Sequence, residues 1–538
     1  MTVRTDRAIN PWLVLGLICL PVFIGSLDLT IVSAFLPEIV LDLNLPLQTA
    51  LDDAAWVVSG YLLAYAVSMT FMGRVSDLVG RRRVYIACLL IFIVGSILVA
   101  TAHQWPTDFL YSIFRRLGQR PEREVVTLIA IVIGRVIQAL GAGALVPVSL
   151  ALVGDLFPPE RRAQPLGVIG AVDTLGWVLG HLYGGILVQF LPWQDLFWIN
   201  VPITLVILVL TLWALRRVPV RRAVGRFDLP GTLLITLALL GLILGLGANI
   251  EVSSTTGSFE EMNQLPPYAA PVLTMALLAF IGFILVERRV KDPLINLSMF
   301  RNRGLSAASV VNLLVGFCLM IGLVSVPILV NMRTEDPTKI TEAALQVGIL
   351  LSALTVPMAL AAVPGGWLSE RIGYQRTTVL GLGTSIVGFL LIWQTWRIDL
   401  PDGIIAVEMA LVGIGLGLTF SPISAAVINA ADDEHRGVAS ALVIILRLIG
   451  MTVAVSLLTG LALNRVNVLA SAELGSAITD PQVVINVYAR TTVRVLADMG
   501  LLGAVVAGAA LIPAVLGLRR TATTTPMPTE RLTHPTGD

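Results

Sequence analysis

The sequence is poor in charged residues. Only 13% of its 538 residues are Asp, Glu, Lys or Arg, whereas 56% are hydrophobic, and the mean hydropathy is +0.86. A soluble chain of this length would form several domains, and this composition cannot supply each of them with a polar surface. The net charge of +1 argues against a nucleic-acid or polyanion partner.

Cysteine and the usual enzyme motifs are equally scarce. The three cysteines, Cys19, Cys88 and Cys318, lie inside apolar runs, where a thiol behaves as a small hydrophobic side chain, so disulfides and zinc are not expected. The sequence has no metal-ligand cluster, nucleotide-binding loop or nucleophile-elbow motif. Glycine-rich stretches at 381–385 and 413–420 lie within apolar runs, where glycine serves helix packing. We therefore expect neither an enzyme nor a cofactor.

Long apolar runs dominate the chain from Trp12 to Leu518. Fourteen of them are long enough to cross about 30 Å of hydrocarbon as helices. The run from Trp12 to Leu36 is too long for a cleaved signal sequence and predicts a retained helix. The pattern predicts an all-α membrane protein with helices at 11–36, 52–72, 84–102, 125–153, 166–190, 196–215, 228–248, 269–287, 305–331, 342–366, 377–396, 404–428, 437–461 and 496–518.

The distribution of arginine predicts the orientation. An even number of spans puts both termini on one side, and most of the 36 Lys and Arg fall in segments on that side. Cytoplasmic segments of membrane proteins carry an excess of Lys and Arg, so both termini are predicted to be cytoplasmic. The prediction is a multi-pass protein of the cytoplasmic (inner) membrane.

The chain contains an internal repeat. Gly73, Asp77 and Arg83 recur as Gly366, Glu370 and Arg376 at one constant offset, which is too long for six helices repeated directly. The repeat predicts two six-helix bundles with two helices inserted between them. The predicted divisions are a cytoplasmic N-terminus (1–10), a first bundle (11–215), a linker with the two inserted helices (216–304), a second bundle (305–518) and a disordered tail (519–538).

Two exterior connections are unusually long. In segment 103–124, five apolar residues share one helical face, which favours a short amphipathic helix in the outer membrane interface with its arginines toward anionic headgroups. A solvated or disordered loop is the alternative. The connection at about 462–495 is expected to be a loop that caps the outer vestibule. The apolar face of the first segment consists of Phe109, Leu110, Ile113, Phe114 and Leu117.

Four stretches in the first half resemble the major facilitator superfamily, and within it the fourteen-helix drug:proton antiporters of the EmrB/QacA type. They are LDLTIVSAFLPEI (27–39), WVVSGYLLAYAVSMTFMGRVSDLVGRRR (56–83), GRVIQALGAGALVPVSLALVGDLFPPERR (134–162) and FWINVPI (197–203). The resemblance implies a major facilitator fold of two six-helix bundles with two additional transmembrane helices, 14 in all, and transport by alternating access.

The loop GRVSDLVGRRR places an acid among arginines at the predicted cytoplasmic face. Glycines allow a tight turn while Asp77 pairs with nearby arginines and accepts hydrogen bonds from a helix N-terminus. The resemblance implies a conformational latch that stabilises the outward-facing state; a simple positive-inside anchor is the alternative. The predicted latch residues are Gly73, Asp77, Gly80, Arg81, Arg82 and Arg83, with Glu370 and Arg376 in the second half.

Charged residues within the apolar runs predict the coupling site. Asp28 lies in the middle of the first helix and is expected to face a central cavity, where a carboxylate can exchange protons and attract a cationic substrate. The resemblance assigns the Asp28 position this role, and a structural hydrogen bond is the alternative.

The other intramembrane charges are Arg135, Asp173, Glu408 and Arg447. The resemblance implies that Arg135 tunes proton movement. Asp173 is a possible partner of Arg135 or a second protonation site, with a helix-end salt bridge as the alternative. Glu408 is expected near the outer surface, where ordinary solvation is the competing explanation, and Arg447 lies deeper and needs a partner that the sequence does not identify.

The fifth predicted helix departs from the family pattern. GWVLGHLYGG (176–185) keeps the glycines of the antiporter motif, which favour close helix packing, but has His181 in place of its proline. His181 is either a proton relay or a histidine hydrogen-bonded to a neighbouring helix. The predicted packing glycines are Gly176, Gly180, Gly184 and Gly185.

The leading hypothesis is a proton-coupled exporter of amphipathic, preferentially cationic drugs or toxic compounds, that is, a multidrug efflux antiporter. A transporter of lipids or lipid-like metabolites with a lateral route is the alternative, and a membrane sensor or scaffold is a third. The expected partners are a small amphipathic or lipid-like substrate and membrane lipids, and a monomer is the default state.

Overall fold

The computed structural model describes residues 10–32, 35–44, 54–187, 190–216, 218, 223, 225–246, 267–333, 340–432, 435–474 and 481–518. These residues form sixteen α-helices. In chain order they are α1 (Pro11–Ile31), α2 (Leu36–Asp42), α3 (Trp56–Val79), α4 (Arg81–Ala100), α5 (Trp105–Arg116), α6 (Arg123–Leu156), α7 (Ala163–Leu187), α8 (Trp193–Leu215), α9 (Leu229–Gly245), α10 (Ala269–Glu287), α11 (Arg303–Arg333), α12 (Ile340–Ile372), α13 (Tyr374–Thr395), α14 (Asp402–Ala430), α15 (Arg436–Leu474) and α16 (Pro481–Gly517).

Twelve of these helices are long and apolar enough to cross a membrane. The helices α7 and α9 correspond to the fifth and seventh predicted spans but are not among the twelve, and α9 has only 17 residues. The all-helical membrane fold is therefore confirmed, whereas the count of fourteen spans is not.

Each half of the chain packs around its own apolar core. In the first half, side chains of α1, α3, α4, α6 and α8 form this core, in which Tyr85 and Phe92 of α4 are fully buried. In the second half, α11 to α16 surround Met320 and Phe389, which are also fully buried. The halves meet along two seams, where α3 packs against α15 and α7 packs against α12.

Helices α9 and α10, which correspond to the two helices predicted between the bundles, pair with each other, and α9 also packs against α3. The start of α9 is fixed by Asp228, whose carboxylate accepts a hydrogen bond from the Gly231 amide at 3.0 Å, with Pro230 in the first turn. The pair is therefore attached to the first half through α3, one of the helices at the boundary between the halves.

The predicted exterior loop at 462–495 is wrong, because most of this segment is helical. Helix α15 continues to Leu474 and α16 begins at Pro481. Ala462, Val466 and Ala470 are buried at a spacing of four residues, which gives the extension of α15 a continuous packing stripe. Polar residues between them lower the local hydropathy without interrupting the helix.

Candidate functional site

A cavity lies between the two halves and contains about 1000 Å³ of empty space, part of it open to solvent. Its wall is mainly apolar. The only charged side chains among the described residues that line it are Asp173 and Arg447, and helix α9 contributes Ile243. The lining residues are Leu29, Leu62, Tyr65, Met69, Asp173, Thr174, Trp177, Ile243, Leu319, Leu323, Thr355, Met358, Phe420, Ile444, Arg447, Leu448 and Met451.

The two charges of the cavity come from opposite halves. Asp173 lies on α7, and its carboxylate accepts a hydrogen bond from the Ser26 hydroxyl at 2.6 Å. Arg447 lies on α15, with its guanidinium carbon 4.3 Å from the centre of the Phe420 ring. Their opposite charges attract each other across the cavity. The sequence singled out both residues, and the structure brings them to one site.

Asp28 does not line this cavity. Its side chain is fully buried and pairs with the fully buried Arg135, with 2.6 Å between the carboxylate and the guanidinium. Gln138 and Asn200 donate to the same carboxylate at 3.0 and 2.9 Å, and Gln138 also donates to Ser96 at 2.9 Å. The carboxylate therefore has a complete set of donors, as a buried charge requires.

Aromatic side chains lie between this sealed ion pair and the cavity. The guanidinium carbon of Arg135 is 3.9 Å from the centre of the Tyr61 ring. Tyr61 stacks on Tyr65 with ring centroids 6.0 Å apart, and Tyr65 lines the cavity. Four of the five predicted charges thus form two separate groups, one inside the first bundle and one on the cavity wall.

Glu408 is buried, so the explanation by ordinary solvation is wrong. Its carboxylate accepts hydrogen bonds from the Thr395 hydroxyl at 2.6 Å and from the Trp396 indole at 2.9 Å. Only 2% of its surface is exposed, because the end of α13 covers it. Glu408 is not among the residues that line the cavity.

The glycines of α7 allow it to lie close to α1. A Cβ atom on Gly176 would come within 2.8 Å of the Phe23 carbonyl, and one on Gly180 would meet the Thr30 hydroxyl at 2.0 Å. Gly184 is buried in the same helix. The side chain of His181 and the packing of Gly185 lie outside the described residues.

The loop predicted as a latch joins the two halves at the end predicted to be cytoplasmic. The buried Asp77 carboxylate accepts from the Gly437 amide at 3.1 Å and lies 3.3 Å from the Arg81 guanidinium. Arg81 and Arg436 both pair with Asp155, the latter at 3.0 Å. The cluster therefore connects the first half to the N-terminus of α15.

The other predicted latch residues contribute unequally. Glu370 accepts from the Gln164 amide of α7 at 3.1 Å, which forms a second connection between the halves. Arg83 and Arg376 are exposed and Arg82 is partly exposed. Gly80 has φ of 102°, a conformation that favours glycine, and joins α3 to α4.

The latch prediction omitted Asp155 and Arg436. They lie at the ends of α6 and α15, far apart in the sequence, and only the fold shows that they are close together.

Gly73 permits a close approach of α3 to α15 in this cluster. A Cβ atom there would lie 2.4 Å from the Gly437 carbonyl oxygen. Gly73→Val is therefore expected to weaken the contact between α3 and α15 by about 1–3 kcal/mol. Ser440 is buried, and the Ser440→Cys variant reports on this contact. Its cysteine should react faster with a membrane-impermeant maleimide when Gly73→Val is also present than when Gly73 is kept.

The matched control is Gly383→Val, since no atom lies within 4 Å of a Cβ at Gly383. This variant should leave the labelling of Ser440→Cys unchanged. Equal labelling in the two glycine variants would contradict a role for the Gly73 contact in closing this end.

Comparisons with known proteins place the chain in a family. Residues 18–455 match the model of the Major Facilitator Superfamily. A triacylglyceride transporter of Mycolicibacterium smegmatis is 32% identical over 465 residues, which are 83% of this chain and 75% of the relative. A triacylglyceride transporter of Mycobacterium tuberculosis is 32% identical over 460 residues, 83% of this chain and 82% of the relative.

Solved structures share the fold at low sequence identity. The human organic anion transporter MFSD10 is 15% identical with a TM-score of 0.57, and 93% of this chain and 100% of that chain are covered. The proton:xylose symporter XylE is 15% identical with a TM-score of 0.55, and the coverage is 92% and 94%. The finer resemblance to the EmrB/QacA branch is not confirmed by these relatives. The family match over residues 18–455 is decisive, and the chain belongs to the Major Facilitator Superfamily.

Proposed function

We propose that this transporter moves neutral lipids of the triacylglyceride class by alternating access. The observation that carries the proposal is the apolar cavity between the halves, lined by side chains such as Leu319, Met358 and Met451. Acyl chains are favoured by such a wall because they lose no hydrogen bonds on entering it. Two relatives that are 32% identical are named triacylglyceride transporters, which supports the same substrate class.

The export of cationic drugs has less support from the site. The cavity wall carries the guanidinium of Arg447, which repels a cation, and Asp173 is the one acid among the described residues of this wall. Asp28, the carboxylate expected to attract a cation, is already neutralised by Arg135 and fully buried. A substrate with ester groups and no positive charge fits these surroundings better, because ester carbonyls accept hydrogen bonds from guanidinium groups.

We further propose that protons drive the cycle through Asp173. When Asp173 is ionised, its attraction to Arg447 holds α7 and α15 together across the cavity. Protonation removes this attraction and frees the guanidinium for a substrate carbonyl. The Asp28–Arg135 pair forms a second site, at which protonation would break a buried ion pair.

At the cytoplasmic end, the cluster of Asp77, Arg81, Asp155 and Arg436 serves as the latch in this proposal. Two of its contacts, from the Gly437 amide to Asp77 and from Arg436 to Asp155, cross between the halves, so they have to break before that end can open. We place the protein in the cytoplasmic membrane with both termini inside, as the arginine distribution favours.

Transfer of a pyrene-labelled triacylglyceride from proteoliposomes to acceptor vesicles tests the substrate class. The purified protein should accelerate transfer about tenfold over protein-free vesicles when an inward proton gradient is applied, since an apolar cavity shields the lipid from water. Ethidium, a lipophilic cation, should not move faster than in protein-free vesicles.

The opposite pattern would overturn the proposal. Gradient-driven movement of ethidium without acceleration of the lipid would favour drug export. If neither compound moved, the absence of transport would favour the sensor or scaffold hypothesis. Transfer of lipid that ignores the gradient would retain the substrate class but reject proton coupling.

A further inference from the structure

Helix α5, between the membrane-spanning α4 and α6, has an apolar stripe that the protein leaves uncovered. The stripe consists of Trp105, Phe109, Ile113 and Leu117, one residue every four positions. Their exposed fractions are 54%, 61%, 39% and 70%. A row of large apolar side chains is costly in water, so this face needs an apolar partner.

The stripe cannot turn inward, because α5 is fastened to the bundle by its opposite side. Thr107 is fully buried, and its hydroxyl donates to the Ala102 carbonyl at 2.6 Å and lies 3.1 Å from the Thr127 hydroxyl of α6. Asp108 pairs with Arg123 of α6 at 2.7 Å. The orientation of the stripe is thus set by contacts at both the start of α5 and the start of α6.

The position of α5 identifies the partner as the bilayer. In the first turn of α6, Val125 is 39% exposed, so an apolar surface of the spanning helices begins at the level where α5 is attached. The end of α5 and the following residues carry the exposed basic side chains Arg115, Arg116 and Arg120. An apolar stripe next to exposed arginines, at the end of membrane-spanning helices, is the pattern of a helix that lies in the headgroup region.

We propose that α5 is an interfacial anchor that binds a membrane surface rich in anionic phospholipids. The stripe lies among the outer parts of the acyl chains, and the arginines contact phosphate groups of the lipids. The anchor fixes the ends of α4 and α6 relative to the bilayer while other helices move. This inference does not depend on which substrate the cavity carries.

The test uses the full-length protein in lipid nanodiscs with a fluorescent NBD label at Ile113→Cys. The native cysteines are buried, and a sample without the added cysteine corrects for any label on them. Ser112→Cys is the matched control, because Ser112 is the exposed polar neighbour on the same helix. Quenching by doxyl groups near the headgroup end of lipid acyl chains reports burial in the bilayer, and quenching by iodide reports exposure to water.

We expect doxyl quenching at position 113 to be about threefold stronger than at position 112, and iodide quenching to show the reverse order. Adding phosphatidylglycerol to neutral nanodiscs should strengthen the doxyl quenching at position 113. The double variant Arg115→Gln/Arg116→Gln should abolish this added effect but keep the quenching in neutral lipid.

Three outcomes would overturn the inference. Equal doxyl quenching at positions 112 and 113 would mean that the stripe is not in the bilayer. Protection of position 113 from both quenchers would mean that another protein or a second copy covers it. If anionic lipid did not change the doxyl quenching at position 113 in the protein that keeps Arg115 and Arg116, the proposed contacts between the arginines and the headgroups would be wrong.

Discussion

Replacing Arg135 with Leu is expected to lower the free energy of unfolding by about 3–5 kcal/mol. Asp28 and Arg135 are both fully buried and lie 2.6 Å apart. Without the guanidinium, the carboxylate keeps Gln138 and Asn200 as donors but loses its only ion-pair partner among the described residues. A buried, unpaired carboxylate is far more costly than the intact pair is stabilising.

Thermal unfolding of the purified protein in detergent measures this effect. Arg83→Leu is the matched control, because Arg83 is exposed and its replacement should change the midpoint little. The double variant Asp28→Asn/Arg135→Leu should recover part of the loss, since it removes both charges together. An unfolding midpoint for Arg135→Leu equal to that of Arg83→Leu would contradict a structural ion pair at this position.

The contrast between Asp28 and Asp173 shows how far the sequence could predict the site. An acid in an apolar helix indicates a polar environment, but helix periodicity does not distinguish a cavity from a network inside one bundle. The partners of Asp28 are 107 residues away at Arg135 and 172 residues away at Asn200. Only the packing of α1 against α6 and α8 reveals that these groups surround it.

Arg447 illustrates the opposite case. Its depth in an apolar run predicted a need for a partner, and the structure gives it the Phe420 ring and the facing charge of Asp173. The partner lies in the other half of the chain, so no local pattern could have identified it. The superfamily fold was predictable because it rests on long apolar runs and a repeated loop, which are properties of the sequence itself.

The number of spans was less predictable than their existence. Hydropathy marks where apolar helices occur, but the helix ends depend on packing and capping. The predicted span at 228–248 was too long because the helix ends at Gly245, and the span at 437–461 was too short because a buried stripe prolongs α15 to Leu474.

Replacing Asp173 with Asn is expected to lower proton-driven transport of the labelled triacylglyceride at least about tenfold. Asn has nearly the same shape and can still accept a hydrogen bond from Ser26, but it can neither bind a proton nor attract Arg447. Transfer down the lipid's own gradient should continue, because the apolar wall of the cavity is intact. The measurement compares the initial rates of transfer with and without a proton gradient in the same proteoliposomes.

Glu408→Gln is the matched control for this loss. Glu408 is also a buried acid within a helix, but it is held by Thr395 and Trp396 away from the cavity, so its replacement should leave the ratio of driven to undriven transfer nearly unchanged. An equal loss in both variants would indicate that any buried acid affects transport through folding alone. Full gradient dependence in Asp173→Asn would instead assign the coupling to the Asp28–Arg135 pair.

A variant of Arg447, the second charge of the cavity, separates an effect on proton coupling from an effect on substrate binding. Arg447→Gln should weaken undriven transfer as well, because the guanidinium is proposed to contact the ester carbonyls and Asp173 is not. If protonation of Asp173 acts by releasing Arg447, the double variant Asp173→Asn/Arg447→Gln should be no worse in driven transfer than Arg447→Gln alone. Additive losses would mean that the two residues act separately, and the proposed exchange between proton and lipid at one charge pair would then be wrong.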